Sequence, residues 1–239
     1  MKAMILAAGH GTRMRPLTDH TPKPLLNVGN KPLVVWHIEK LKQAGFEDII
    51  INIAWFGDQI PKALGDGSQF GVKLHYSDEQ KEGALETAGG IIKALPLLCN
   101  EDNDETFLVV NGDVWCDYTY SNKSPLKEND LAHLILVNNP EHNPEGDFAL
   151  INEPTHAQDN QQRVDVEGPT KYTFSGIGYY HPNLFKSLPQ GKHPLAPILR
   201  NAMLNKQVSG EHFTGDWRDI GTPERLAQLD SDLIKQNAK

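Results

Sequence analysis

Short apolar runs and segments with apolar residues at helical spacing alternate through the first half of the chain. The apolar runs predict buried strands at residues 2–7, 48–55, 72–76 and 106–113, and the helical spacing predicts helices at 32–45, 57–64 and 87–98. This alternation is typical of an α/β protein. We therefore expect a Rossmann-like, mainly parallel sheet with helices on both faces, and ligands bound at the carboxyl ends of its strands.

The pattern changes from about residue 118 onward. The segments 131–138, 147–153 and 171–181 are rich in strand-forming residues and are separated by Asn, Pro and Gly clusters, which predicts a β-rich lobe that continues the sheet. Thr222 and Pro223 mark the start of a last helix, whose apolar residues would face the core: Leu226, Leu229, Leu233 and Ile234. We expect one domain, 1–239, divided into about 1–117, a lobe at about 118–222 and a helix at 223–239.

The distribution of charge disfavours a nucleic acid as partner but is compatible with a small anionic ligand. A net charge of −8 argues against nucleic-acid binding, because neutralising a phosphate backbone requires a basic face. Residues 1–31 are basic locally, since Asp19 is their one acidic residue and their cations number five: Lys2, Arg13, Arg15, Lys23 and Lys31. The charge pattern therefore favours a small anionic ligand near the N-terminus.

Hydropathy and cysteine content predict a cytoplasmic protein without a membrane segment. Apolar runs such as LILV at 134–137 are too short to cross a bilayer, and the opening MKAMILAAGHG turns polar before a signal peptide would be complete. Cys99 and Cys116 do not form a metal-binding pair motif, and we expect reduced thiols.

Two glycines follow the first predicted strand, at Gly9 and Gly11, and basic side chains follow them. Glycines in this position let backbone N–H groups approach phosphate oxygens. A dinucleotide-binding turn is disfavoured because Met14 replaces its third glycine and Pro16 follows, and no Walker motif occurs in the chain. An isolated G-x-G would more often form only a tight turn, so the rest of the segment decides the interpretation.

The full opening, LAAGHGTRMRPLT followed by TPKPL, resembles the sugar nucleotidyltransferase family. The resemblance implies that the glycine loop and the arginine hold a nucleoside triphosphate and that the lysine of PKP contacts phosphates. The residues carried over from this motif are Ala7, Ala8, Gly9, Gly11, Thr12, Arg13 and Lys23.

A second segment, EGALETAGGIIKAL, resembles the family's second nucleotide-binding stretch, and adds Glu86, Thr87 and Gly89; Asn111 comes from VVNGDVW. For this segment alone a capped helix is an equal alternative, with Thr87 as the N-cap and the glycines as a turn.

The same resemblance implies a magnesium site. Asp113 follows an apolar strand, and Asp219 stands in GDWRDIGTPE; they resemble the family's two metal-binding aspartates. Two carboxylates together with phosphate oxygens suit Mg²⁺, which prefers oxygen ligands. Arg13, Lys23 and Asp113 are then the expected catalytic residues, and no protein nucleophile is required.

PEGDFALINE and TFSGIGYYHP resemble the family's sugar-binding segments, which makes the β-rich lobe the sugar-binding part; the candidates are Gly146, Asp147, Glu153, Ser175 and Gly176. The resemblance implies transfer of a nucleoside monophosphate from an NTP, with UTP favoured, to a sugar 1-phosphate by a monomer or small homo-oligomer. Alternatives are GTP with mannose 1-phosphate, another hexose 1-phosphate, and a noncatalytic nucleotide-sugar sensor.

Overall fold

The computed structural model describes residues 1–99, 105–152 and 162–237. Its strands are β1 (Ala3–Leu6), β2 (Asn27–Val28), β3 (Lys31–Pro32), β4 (Asp48–Ile53), β5 (Lys73–Asp78), β6 (Phe107–Asn111), β7 (Val114–Cys116), β8 (Ala132–Val137), β9 (Phe148–Ile151), β10 (Gln162–Asp165), β11 (Lys171–Tyr180), β12 (Val208–Phe213) and β13 (Trp217–Asp219). Its α-helices are α1 (Leu33–Gln43), α2 (Gln59–Leu64), α3 (Glu86–Leu98), α4 (Leu195–Leu204) and α5 (Pro223–Asn237). Among the described residues, no helix is both long enough and apolar enough to span a bilayer.

Nine strands form one mixed sheet in the order β5-β4-β1-β6-β11-β8-β12-β10-β9. The block β5-β4-β1-β6 is parallel throughout, so the ends of β1, β4, β5 and β6 meet at one edge. The predicted α/β class is confirmed, and the mainly parallel arrangement describes this first half.

The β-rich lobe joins the same sheet through β11, which pairs antiparallel with β6 on one side and with β8 on the other. Of the strands beyond β11, β8 and β12 pair in parallel, whereas β12–β10 and β10–β9 are antiparallel. The predicted continuation of the sheet into the lobe is therefore observed. The sequence pattern did not reveal α4, β10 or β12.

Helices cover both faces of the sheet because side chains of successive strand residues point to opposite sides. In β1, Ala3 and Ile5 pack with residues of α1 and α2, whereas Met4 packs with residues of α3 and α4. Each face thus buries its own apolar cluster. Burial of such areas at about 25 cal/mol per Å² is the main force that holds helices to a sheet.

The last helix, α5, packs on a third, smaller cluster that includes Met14 and Val28 from the N-terminal segment. Leu226, Leu229 and Leu233 are buried there as predicted, but the prediction for Ile234 was wrong, since 44% of it is exposed. Position 234 follows Leu233 directly and is turned by about 100° around the helix axis, away from the buried stripe. The α5 cluster thereby fixes the segment that follows the glycine loop.

Candidate active site

The ends of the parallel strands open into a cleft of about 550 Å³. The cleft lies at the edge where ligands gather in open α/β sheets. Among its lining residues are most of the nucleotide and catalytic candidates: Ala7, Ala8, Gly9, Gly11, Thr12, Arg13, Lys23, Glu86, Thr87, Asn111 and Asp113. Residues from three separate parts of the sequence therefore form one concave surface.

The glycine loop contains one glycine required by the backbone and one next to open space. Gly11 has a left-handed backbone with φ +61°, and its carbonyl accepts hydrogen bonds from the Thr18 hydroxyl at 2.7 Å and the Met14 N–H at 2.9 Å. A Cβ at Gly9, by contrast, would meet no protein atom within 4 Å. Gly11 thus shapes the loop, and Gly9 leaves room for a ligand close to the backbone.

Lys23 and Asp113 form an ion pair inside the cleft. Lys23 Nζ donates to Asp113 Oδ2 at 2.9 Å, and the lysine is buried whereas the aspartate side chain is 41% exposed. The short 3-10 turn at residues 23–25 carries the lysine, and Asp113 follows the end of β6. The pair places one cation and one partly solvated anion beside the loop.

Asp219 is brought next to Asp113 by the small ribbon that β7 forms with β13. Asp219 pairs with Val114 in this ribbon, and the Ile220 N–H donates to the Asp113 carbonyl at 2.9 Å. Asp219 Oδ2 accepts from Arg225 Nη1 at 2.6 Å and lies 3.4 Å from His142 Nε2. The structure therefore makes the backbones of the two predicted metal ligands neighbours; Asp113 lines the cleft, whereas Asp219 is not among its lining residues and its carboxylate is bonded to Arg225.

The N-terminus of α3 forms another side of the cleft. The helix starts at Glu86 with Leu85 as N-cap, so Thr87 lies within the first turn and the alternative of a Thr87 N-cap is wrong. The Ala88 and Gly89 N–H groups both donate to the His193 carbonyl, at 3.0 and 3.1 Å. A Cβ at Gly89 would lie 2.3 Å from the Gly191 oxygen, so this glycine permits packing of the 191–193 segment and does not line the cleft.

Two of the sugar-binding candidates lie at the β-bulge in β11. Gly176 adopts φ +80°, and a Cβ there would lie 2.6 Å from the Asn111 side chain, so a sugar-binding candidate packs directly on a nucleotide-binding one. Ser175 is buried: its hydroxyl donates to the Ile135 carbonyl at 2.7 Å and accepts from the Ile177 N–H at 3.1 Å. The Ser175 hydroxyl is thus directed into the sheet, not into the cleft.

The remaining sugar candidates lie apart from the residues that line the cleft. Gly146 has φ +67° in the turn before β9, and Asp147 is exposed, with Oδ2 accepting from the Phe174 N–H at 2.8 Å. Glu153 lies outside the described residues. The bond between Asp147 and Phe174 connects this turn to the bulge that holds Gly176.

The cleft also contains polar residues that the sequence analysis did not select, among them Asn52, Glu79 and Lys192. Glu79 directly follows β5, so the rule that placed Asp113 at a strand end could have found it. Asn52 lies inside β4 and inside the predicted strand 48–55, so that rule would not have selected it. Burial raises the pKa of Glu79, in opposition to hydrogen bonds from Asn52 and Leu85. No sequence signal identified Lys192, which tertiary packing places near Glu86 at 3.7 Å.

The chain belongs to the nucleotidyl transferase family, whose model matches residues 2–236. It is 53% identical over 233 residues to N-acetylmuramate alpha-1-phosphate uridylyltransferase of Neisseria meningitidis serogroup B, with 95% of this chain and 96% of the relative covered. It is also 31% identical to a mannose-1-phosphate guanyltransferase of Emericella nidulans, over 94% of this chain and 62% of that protein. The resemblance inferred from the motifs is confirmed.

Solved structures show the same fold. One is a protein from Bacillus anthracis described as a glucose-1-phosphate thymidylyltransferase, crystallised with sucrose, which has a TM-score of 0.78 at 25% identity and covers 98% of this chain and 95% of its own. A CTP:phosphocholine cytidylyltransferase from Streptococcus pneumoniae has a TM-score of 0.71 at 22% identity, with 97% of this chain and 98% of its own covered. The second likeness concerns the fold alone.

Proposed function

We propose that the protein transfers UMP from UTP to N-acetylmuramate α-1-phosphate and releases pyrophosphate, forming UDP-N-acetylmuramate. The observation that carries nucleotidyl transfer is the Lys23–Asp113 pair beside the glycine loop, with Asp219 at the adjacent strand position. The choice of substrates rests on the 53% identity to the meningococcal uridylyltransferase across nearly its whole length. We place the reaction in the cytoplasm and in peptidoglycan recycling.

The donor set fits a magnesium ion. Asp113 and Asp219 offer hard oxygen ligands, which Mg²⁺ prefers. The described residues contain no group of three or more His, Cys, Asp or Glu that could hold a metal ion by itself, so the substrates would have to supply further ligands. The two aspartates would hold Mg²⁺, with phosphate oxygens and waters completing its shell. A bound Mg²⁺ would neutralise phosphate charge as the transition state forms.

The chain's own residues would act by positioning and by charge. The glycine loop and the start of α3, at Glu86 and Thr87, would present backbone N–H groups to the triphosphate, because a helix N-terminus favours anions. Arg13 and Lys23 would counter the charge of the phosphates, and Asn111 would contact the nucleotide.

An oxygen of the sugar 1-phosphate attacks the α-phosphorus of UTP, and the bond from that phosphorus to the bridging oxygen breaks, so pyrophosphate leaves with the electron pair. The nucleophile is already ionised near neutral pH, so no side chain has to remove a proton. In-line alignment of the two substrates is then the main requirement on the site.

The sugar would bind beyond Asn111, toward the bulge of β11 and the turn before β9. Gly176 and Asn111 are in contact, and the Asp147–Phe174 bond connects the two segments. Gly146, Asp147, Ser175 and Gly176 are the proposed sugar-binding positions; Ser175 is proposed for its place in the bulge, because its hydroxyl and its carbonyl are already hydrogen-bonded. Glu153 is proposed from the sequence alone.

A pyrophosphate-release assay with Mg²⁺ tests the proposal. UTP, GTP, dTTP and CTP are crossed with the 1-phosphates of N-acetylmuramic acid, mannose, glucose and N-acetylglucosamine. We expect the highest kcat/KM with UTP and N-acetylmuramate 1-phosphate. Turnover only with GTP and mannose 1-phosphate would contradict the substrates but not the chemistry. Nucleotide binding without turnover of any pair would favour a sensor.

A further inference from the structure

A buried chain of hydrogen bonds connects two sides of the nucleotide cleft. The Ala7 N–H donates to Asn52 Oδ1 at 2.7 Å, Asn52 Nδ2 donates to Glu79 Oε1 at 2.7 Å, and the Leu85 N–H donates to Glu79 Oε2 at 3.0 Å. Ala7 begins the glycine loop, and Leu85 is the N-cap of α3. The two side chains therefore bridge segments that come from distant parts of the sequence.

The donors at the two ends of this chain of bonds allow only one orientation of the Asn52 amide and the Glu79 carboxylate between them. Both ends of the chain are backbone N–H donors, so the groups between them must accept at both ends. An ionised carboxylate accepts only, whereas an amide has one accepting side and one donating side. Glu79 receives bonds from Leu85 and from Asn52, which turns the amide oxygen of Asn52 toward Ala7.

Packing encloses this chain of bonds. Glu79 is 1% exposed and Asn52 is 3% exposed. Helix α3 passes close to both at Gly90, where a Cβ would lie 2.8 Å from Glu79 Oε1 and 2.9 Å from Asn52 Nδ2. Water has little access to these atoms and cannot replace a lost partner. If two donors or two acceptors face each other at one bond, a side chain can avoid this only by disturbing the neighbouring bond.

We propose that Asn52 and Glu79 are positioning residues that set the separation of the glycine loop and the α3 N-terminus, and thereby the affinity for the nucleotide. This inference rests on the proposed function only in that the cleft binds an NTP. Their contribution acts through the backbone at Ala7 and Leu85, so what matters is the pattern of donors and acceptors and not which of the two side chains carries the charge.

Single and double substitutions separate these requirements. In Glu79→Gln, an added NH₂ group faces either the Leu85 N–H or the Asn52 NH₂, and a flip of Asn52 only transfers the conflict to Ala7. In Asn52→Asp, two carboxylate oxygens face each other. The double variant, Asn52→Asp with Glu79→Gln, restores every bond. The carboxylate at position 52 accepts from the Ala7 N–H and from the amide NH₂ at position 79, and the amide oxygen at position 79 accepts from the Leu85 N–H.

The readouts are the Kd for UTP by calorimetry without sugar phosphate, the KM for each substrate, and the Tm. We expect each single variant to raise the Kd for UTP at least tenfold, and the double variant to return it to within about threefold of wild type, a coupling typical of bonded neighbours. The KM for the sugar 1-phosphate should change by less than about twofold.

Leu199→Ala is the control for a general loss of stability. Leu199 is buried on α4 and does not line the cleft, so this variant should lower the Tm without changing the Kd for UTP.

The double variant decides the result even where a single variant does not fold. Recovery of folding and of UTP binding supports the inference. A double variant that binds UTP no better than the worse single one, or single variants that bind like wild type, would overturn it. A wild-type protein that binds UTP but transfers UMP to no sugar phosphate would defeat the proposed function alone, whereas one that binds none of UTP, GTP, dTTP and CTP would defeat both.

Discussion

The Lys23 ammonium donates to the Asp113 carboxylate across 2.9 Å, although 90 positions separate the two residues in the sequence. The contact joins the turn that follows the glycine loop to the end of β6. A candidate for phosphate binding, Lys23, is therefore bonded directly to a candidate for metal binding, Asp113. Because Lys23 is largely buried, its ammonium keeps a fixed position in the cleft.

Removing either member of this pair should abolish most turnover. We expect Lys23→Ala and Asp113→Asn each to lower kcat by about 100-fold or more, as loss of a group that stabilises transition-state charge does. Pyrophosphate release measures the rate, and circular dichroism checks the fold. Near-normal turnover in both variants would contradict the proposed mechanism.

Gly176 should be intolerant of a side chain because it has both a left-handed backbone and a close neighbour, Asn111. Gly176→Ala should destabilise the fold by about 2–4 kcal/mol, from about 1 kcal/mol of backbone strain and the rest from overpacking. It should also raise the KM for the NTP, because Asn111 is displaced. Urea denaturation and steady-state kinetics measure the two effects.

Gly71→Ala is the matched control for Gly176. Its backbone is also left-handed, at φ +69°, but the nearest atom to its Cβ is the end of the flexible Lys42 side chain, at 3.3 Å. This variant should lose only about 1 kcal/mol and keep its KM. Equal losses in stability at both positions would show that contact with Asn111 is unimportant.

The buried His37 should make the protein sensitive to acid. Burial lowers the pKa of His37 to about 4, so the folded state keeps it neutral while the unfolded chain takes up a proton below about pH 6.5. The free energy of unfolding should therefore fall by about 3 kcal/mol from this residue as pH drops from 6.5 to 4, with no contribution above 6.5. Urea denaturation over this range measures it.

His37→Gln removes this titration and serves as the comparison. Carboxylates elsewhere titrate in both proteins, so the difference between the two pH profiles isolates the histidine. Parallel profiles between pH 6.5 and 4 would contradict a buried neutral His37.

The last helix should contribute to stability through its buried stripe alone. Leu229 is fully buried, whereas Ile234 is 44% exposed. We expect Leu229→Ala to cost about 2–5 kcal/mol and Ile234→Ala less than about 0.5 kcal/mol, by denaturant unfolding. A large loss of stability in Ile234→Ala would contradict this prediction, because it would mean that Ile234 packs against another molecule.

The sequence by itself determined the four parallel strands and the three helices of the first half and the members of the glycine loop, but not the short strands β2, β3 and β7. Apolar runs located β1, β4, β5 and β6 to within two residues, because local burial sets that pattern. Arg13, Lys23 and Asp113 were predicted as site residues because they lie in motifs that resemble those of the family and, for Asp113, at a strand end. These signals are local in the chain, so they are visible without a structure.

Tertiary structure alone decided which distant residues meet. The pairing of β7 with β13 places Asp219 beside Asp113, and the order of β5, β4 and β1 lets Asn52 and Glu79 connect two loops. The bulge in β11 turns the Ser175 hydroxyl inward and brings Gly176 against Asn111. Strand order and register depend on packing across the whole sheet, and hydrogen bonds between remote side chains leave no periodic trace in the sequence.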